Sequence, residues 1–156
     1  FDCPKPTVCA INGAALAGGL FFVLGCDLRV SNARAKFGLA EVRVGADFPL
    51  GPMEIARATL DANTLRRLML TGQPIDADTA HRVGIVDILD ETPLERALSE
   101  AQALAEIPPK TFAAIKRQIR GETIALIEQG MATEANAPKE GWFSDETKPA
   151  MRRMIG

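Results

Sequence analysis

Short apolar runs separated by turn residues fill the first third of the chain. Residues 6–11 are apolar and β-branched, which predicts a buried strand, and residues 27–31 alternate as expected for a second strand. Residues 18–25, between them, predict a short apolar helix. Residues 32–38 combine a turn with a short extended piece, and residues 39–44 are too short to assign.

Helical spacing dominates the rest of the chain. It predicts one helix from about Met53 to Leu60 and another within residues 61–70. Asp76 can cap a further helix that Gly84 stops, because an acidic N-cap and a terminal glycine satisfy the two helix ends. Residues 85–89 then predict a strand.

Start signals for the later helices are strong. The sequence TPLE at residues 92–95 is a capping box with Pro at the first helical position, and its helix should run to about Ala105. Pro108-Pro109 starts the next helix, whose apolar residues fall on one face: Phe112, Ile115 and Ile119. We expect a further helix around Thr123 to Ala135, and a final short helix capped by Ser144.

The order of these elements predicts an α/β unit followed by a helical region. The chain opens on Phe1, and FDCPKPTVCAI runs from a turn straight into a buried strand. A domain rarely begins so abruptly, so we expect a fragment whose N-terminal part is missing.

Composition narrows the classes of function. The 156 residues have the size of one domain, and 47% of them are hydrophobic, which is enough for a core. A net charge of -2, one Trp and no Tyr give no basis for binding nucleic acid or a membrane surface. Cys3, Cys9 and Cys26 lack metal-ligand spacing, which predicts reduced thiols in a cytoplasmic protein. The single histidine, His81, excludes a His-cluster metal site.

The stretch INGAALAGGL (residues 11–20) has the strand, glycine and helix order of an anion site. It is not a Walker loop, since Gly19-Leu20 replaces the Lys-Ser/Thr pair, and it lacks the dinucleotide fingerprint. A neutral, Gly-rich helix entrance suits a thioester or carbonyl oxygen that becomes negative in a transition state. The alternative is close helix–strand packing that needs glycine.

Two longer segments resemble the enoyl-CoA hydratase/isomerase signature of the crotonase superfamily. They are KPTVCAINGAALAGGLFFVLGCDLRVSNARAKFGLAEVRVG (residues 5–45) and LTGQPIDADTAHRVGIVDIL (residues 70–89). The resemblance implies an α/β crotonase-like fold with a ββα spiral core and a C-terminal helical region. Residues 1–90 would form the C-terminal part of that core, and residues 91–156 a helical region for trimerisation or for covering the site. The family also implies homotrimers, often paired into hexamers.

The resemblance also implies the site. The thioester oxygen of an acyl-CoA would accept a hydrogen bond from Gly18 N–H, with Ala17 and Gly19 beside it. A second donor comes from a loop earlier in the family's chain, outside this sequence. Glu41 falls on the family's F-G-x-x-E position, where a glutamate transfers a proton next to the thioester. Apolar neighbours would raise its pKa and suit it as both base and acid.

Phe21 departs from the hydratase pattern, in which a second glutamate at this position holds the attacking water. Members with one acid resemble enoyl-CoA isomerases, so isomerisation is favoured over hydration. The alternatives are a hydratase with a non-standard water site and a non-catalytic acyl-CoA-binding protein. Asp47, in the GADFPLGP loop, is a weaker substrate-binding candidate. No metal and no cofactor beyond the CoA of the substrate are implied.

Other charged residues fit structural roles better. Asp27 is expected to be a structural turn residue or a pairing residue. The basic residues of the later helices fit a solvated face better than contacts with CoA phosphates: Lys110, Lys116, Arg117 and Arg120.

Overall fold

The computed structural model describes residues 1–133 and 143–155, with side chains as far as residue 153. The strands are β1 (Val8–Ile11), β2 (Ala15–Leu16), β3 (Leu28–Ser31), β4 (Lys36–Gly38), β5 (Ile75–Asp76) and β6 (Ile88–Leu89). The helices are α1 (Gly18–Gly25), α2 (Glu41–Val44), α3 (Leu50–Thr59), α4 (Ala62–Thr71), α5 (Ala77–Arg82), α6 (Pro93–Ala105), α7 (Pro109–Ala132) and α8 (Thr147–Ile155).

The first sheet is parallel and has the order β1-β3-β6, with Val8 beside Leu28 and Val30 beside Ile88. All three of its strands were predicted from the apolar runs, within one to three residues at their ends. The intervening helix α1 is also where its pattern predicts. It is apolar on every side, and its Leu20 and Leu24 are fully buried in the core.

A second, smaller sheet has the order β2-β4-β5 and was only partly anticipated. β2 and β4 are parallel, with Ala15 opposite Phe37 and Leu16 opposite Gly38, whereas β5 runs antiparallel to β4. Two-residue strands such as β2 and β5 carry no readable period. Gly38 is required by close approach, because a Cβ there would lie 3.2 Å from atoms of Leu16 and Pro74.

Helices α3 to α6 match their predicted positions, with two local differences. Helix α3 begins at Leu50 rather than Met53, because Pro52 lies in the first turn, where a missing N–H costs nothing. Asp61 and Asp76 cap α4 and α5 as side-chain acceptors. The capping-box hydrogen bond at α6 does not form: the Thr92 hydroxyl donates to Asp90 instead.

Helix α7 corrects two predictions. It runs unbroken from Pro109 to Ala132, so the separate helix around Thr123 to Ala135 is part of it as far as the described residues reach. Its two glycines, Gly121 and Gly130, do not interrupt it. The expected solvated basic face is wrong for Lys116, which is 7% exposed, whereas the apolar Ile119 is 77% exposed.

Buried charge explains this orientation of α7. Lys116 Nζ lies 2.7 Å from Asp27 Oδ2, and Arg120 Nη2 lies 2.9 Å from Asp27 Oδ1. Thr7 donates to the same carboxylate from its N–H and its hydroxyl, both at 2.8 Å. Burial raises the pKa of Asp27, but the hydrogen bonds from Lys116 and Thr7 outweigh it and hold the pKa below its ordinary value. The pairing expected for Asp27 is thus confirmed, and it fixes α7 against the turn before β3.

We predict that Asp27→Asn in the full-length protein lowers the free energy of unfolding by about 3–5 kcal/mol, because it leaves Lys116 buried without a counterion. Urea unfolding followed by circular dichroism measures this. The control is Asp2→Asn, which breaks the exposed Asp2–Arg117 pair on the same helix and should cost less than about 1 kcal/mol. Equal losses in the two variants would contradict a structural role for the buried pair.

Candidate active site

The parallel pair β2–β4 brings two chain segments to one edge of the smaller sheet. β2 leads through Ala17 into helix α1, and β4 leads through Leu39 and Ala40 into helix α2. The pairing continues one step past the strands, since Ala17 N–H donates to Gly38 C=O at 2.9 Å. The carboxyl ends of parallel strands are where α/β folds place ligands. Gly18 and Glu41 therefore lie at the same edge.

The entrance to α1 presents free backbone donors. Ala17 N–H is used by Gly38, but among the described residues the N–H groups of Gly18 and Gly19 have no hydrogen-bond acceptor. A Cβ at either glycine would meet nothing within 4 Å, so small side chains could be accommodated there. Ala17 has φ 49° and ψ -127°, an unfavourable conformation for a residue with a side chain.

Glu41 is the first residue of α2 and is half-buried. Its Oε2 atom is buried and has no hydrogen-bond partner among the described residues. Burial raises the pKa of Glu41 above its ordinary value of 4.5, against a smaller opposing effect of its own backbone N–H. A raised pKa makes a carboxyl a better proton acceptor when it is ionised.

Phe21, at the position where the hydratase pattern has a second glutamate, forms an aromatic pair. The Phe21 ring packs edge-on against Phe48, with the ring centroids 6.0 Å apart. Phe48 comes from the Gly/Pro-rich loop before α3, and both rings border the buried core. Sequence reasoning singled out Phe21 but missed Phe48, for which the only signal was an aromatic residue in that loop.

The other candidates are placed as follows. Asp47 is exposed, and Glu54 is paired with Arg57 at 2.6 Å. His81 is exposed, and its Nδ1 lies 3.0 Å from Val86 C=O. Within the described ranges, no three His, Cys, Asp or Glu side chains could hold a metal together, and all three cysteines are free. No described helix is long and apolar enough to cross a membrane.

The segment that begins at Phe143 packs on the helix that carries Glu41. Thr147 and Ser144 both donate hydroxyl hydrogen bonds to Gly45 C=O, at 2.7 and 3.2 Å. Gly45 ends α2 with φ 64°, and a Cβ there would crowd Glu146 and Thr147. The final helix was predicted, and Ser144 Oγ accepts from Glu146 N–H just before it begins. The contact with α2 was not predicted.

Comparison with known proteins gives the family of the chain. The profile of the enoyl-CoA hydratase/isomerase family matches residues 1–153. The chain belongs to the enoyl-CoA hydratase/isomerase family. It is 32% identical over 161 residues to the (E)-benzylidenesuccinyl-CoA hydratase of Thauera aromatica. The alignment covers 95% of this chain and 63% of that protein. It is 30% identical over 132 residues to the mitochondrial Delta(3,5)-Delta(2,4)-dienoyl-CoA isomerase of Dictyostelium discoideum, covering 83% of this chain and 45% of that protein.

Solved structures of the family share the fold. The chain superimposes on an enoyl-CoA hydratase of Mycobacterium ulcerans with a TM-score of 0.81 and 28% identity, covering 86% of this chain and 60% of that one. The predicted crotonase-like α/β fold with a C-terminal helical region is therefore confirmed. The chain spans about half to two thirds of the length of these relatives.

We predict that Glu41→Gln stabilises the full-length protein at pH 7 by about 0.5–2 kcal/mol, as expected when a buried functional charge is removed. The folded-state pKa of Glu41 lies above the unfolded value, so the wild type loses stability as pH rises through the interval between the two. The difference in free energy of unfolding between the Gln variant and the wild type should thus grow as the pH rises across that interval and stay constant above it. Urea midpoints measured from pH 4 to pH 8 test this. A Gln variant that is no more stable at pH 7 would contradict the burial of an ionised carboxylate.

Proposed function

We propose that the protein is an acyl-CoA enzyme that moves a carbon–carbon double bond, with Glu41 as the proton shuttle and Gly18 N–H as an oxyanion donor. The observation that carries the proposal is the common edge of β2 and β4. There, among the described residues, Gly18 N–H has no acceptor and Glu41 Oε2 has no hydrogen-bond partner, and burial raises the pKa of Glu41. Family membership supports the acyl-CoA substrate class.

The proposed reaction starts from a 3-enoyl thioester. Ionised Glu41 removes a proton from C2, and the electron pair moves onto the thioester oxygen as a dienolate. Gly18 N–H, at the positive end of α1, stabilises that oxygen more strongly than the neutral carbonyl. Glu41, now protonated, delivers the proton to C4, and the double bond ends between C2 and C3. Ala17 and Gly19 shape the approach to the donor.

The Phe21–Phe48 pair supports isomerisation over hydration. Hydration needs a group that positions and deprotonates water, and an aromatic side chain at residue 21 does neither. The exposed Asp47 is left as a secondary, substrate-binding candidate. The alternative is hydration with a water site elsewhere, favoured by the likeness to a benzylidenesuccinyl-CoA hydratase. A third candidate, an acyl-CoA-binding protein without activity, is disfavoured because Glu41 is retained.

As the family resemblance suggests, we propose a homotrimer or a pair of trimers in which residues 91–156 help to cover the site.

We predict that Glu41→Gln in the full-length protein lowers double-bond isomerisation of 3-enoyl-CoA by about 10²–10⁴-fold, since it removes the group that transfers the proton. Nuclear magnetic resonance in deuterated water follows both isomerisation and deuterium entry at C2 and C4. The matched control is Glu95→Gln, an exposed glutamate on α6, which should leave both rates unchanged.

The outcomes separate the three candidates. Hydration of 2-enoyl-CoA without isomerisation, lost in Glu41→Gln, would overturn the isomerase assignment. No exchange, isomerisation or hydration across a range of acyl lengths would overturn the enzyme assignment.

As the pH falls, the wild-type kcat/KM should decline at a pH above the ordinary glutamate range, because the ionised base carries the first step.

We predict that Gly18→Pro lowers kcat by about 10²–10³-fold, because proline has no N–H to donate to the oxyanion. Proline suits the first position of a helix but restricts the backbone of the preceding Ala17, so circular dichroism and melting temperature are measured for the variant alongside kcat. Gly18→Ala is the control: it keeps the N–H, and its Cβ meets open space. Equal losses in the two variants would indicate that bulk at residue 18, rather than the donor, limits the reaction.

A further inference from the structure

The far end of helix α1 is held by two guanidinium groups. Arg29 Nη2 donates to Leu24 C=O at 3.2 Å, and its Nε and Nη2 both donate to Cys26 C=O at 3.3 Å. Arg120 Nη1 donates to Gly25 C=O at 3.2 Å. The last carbonyls of α1 and its C-cap, which have no partner inside the helix, thus face cations.

Both arginines are sheltered from water. Arg29 is 8% exposed, and the Arg120 side chain is 12% exposed. Arg29 also donates to Gly84 and Ile85 carbonyls, at 3.4 and 3.5 Å. Electrostatic effects are larger in such surroundings than at a solvated surface. The two arginines therefore act on the C-terminal end of α1 with little screening by solvent.

Two carboxylates lie among the cations around this end of α1. Asp27 is shared between Arg120 and Lys116, and Asp87 Oδ2 accepts from Arg29 N–H at 2.8 Å. The Cys26 thiol lies beside them, and a hydrogen bond with Cys9 and the charge of Arg29 lower its pKa to about 6. Arg29 has no salt bridge of its own among the described residues.

We propose that Arg29, assisted by Arg120, is a positioning residue for the reaction that acts through α1 to strengthen the oxyanion donor at Gly18. A helix carries a partial negative charge at its C-terminus and a partial positive charge at its N-terminus. Cations that cap the negative end offset its opposing field, so an oxyanion at Gly18 meets a more positive potential. Their hydrogen bonds also hold the eight-residue helix in alignment. The inference rests on the proposed function, because it assigns α1 the task of binding an oxyanion.

The test compares Arg29→Gln with Arg29→Lys in the full-length protein. Gln removes the charge, whereas Lys keeps it. We expect Arg29→Gln to lower kcat roughly three- to tenfold with little change in KM, and Lys to restore most of the loss. If Arg29→Gln does not fold, Arg120→Gln replaces it, with Arg117→Gln as the control for a basic residue that is exposed on the same helix.

The decisive readout is the infrared stretch of a ¹³C-labelled thioester carbonyl in a bound enoyl-CoA. It is recorded in the Glu41→Gln background, so that the ligand does not react. Polarisation by the donor lowers this frequency relative to free ligand, and the charge-removing variants should move it back toward the free value. A purely structural role would change melting temperature but leave the bound frequency unchanged, which would overturn the inference.

Two further outcomes distinguish this inference from the proposed function. If the wild type causes no carbonyl shift or does not bind enoyl-CoA, the oxyanion role of Gly18 fails, and the inference fails with it. If Glu41→Gln keeps full turnover while the frequency still responds to Arg29, the proton role of Glu41 fails and the inference stands.

Discussion

One backbone hydrogen bond, from Ala17 N–H to Gly38 C=O, joins the two segments that lead to Gly18 and Glu41, the proposed site residues. It extends a parallel pairing of only two residue pairs, so register depends on packing around it. Phe37 is fully buried, and Gly38 fits against Leu16 and Pro74 with no room for a side chain. A slip of one residue would turn Phe37 toward the other face of the sheet. The same fit therefore fixes both the core and the relative position of Gly18 and Glu41.

The rest of the fold supports the two helices that begin at this edge. Leu20, Val23 and Leu24 of helix α1 are buried in the core, and charged side chains meet the carbonyls at the far end of the helix. The short helix α2 is held by hydroxyl groups from the C-terminal segment. The two proposed site residues therefore differ in their support. Gly18 begins a helix that packs on the buried core, whereas Glu41 begins a helix held by a segment that lies far away in sequence.

Elements long enough for their apolar spacing to repeat could be predicted from the sequence. Elements that depend on contacts between distant parts of the chain could not. The strands of the parallel sheet and helices α3 to α6 follow their apolar spacing. β2 and β5 have two residues each, too few for a period. The orientation of α7 depends on Asp27, which lies 89 residues before Lys116, so local pattern favoured the wrong face. In the site, Gly18 and Glu41 could be proposed from the family motif, whereas the contact of Phe48 with Phe21 arises only on folding.

The strained backbone of Ala17 limits how this site can evolve. Its φ of 49° lies where a β-branched or bulky side chain would clash with the chain, at a cost of order 1–3 kcal/mol even for ordinary residues. Glycine would remove that cost but would leave the unfolded chain with more conformations to lose. Alanine and glycine are therefore the residues that this backbone accommodates at the least cost. The turn that begins α1 consequently tolerates fewer side chains than an unstrained loop would.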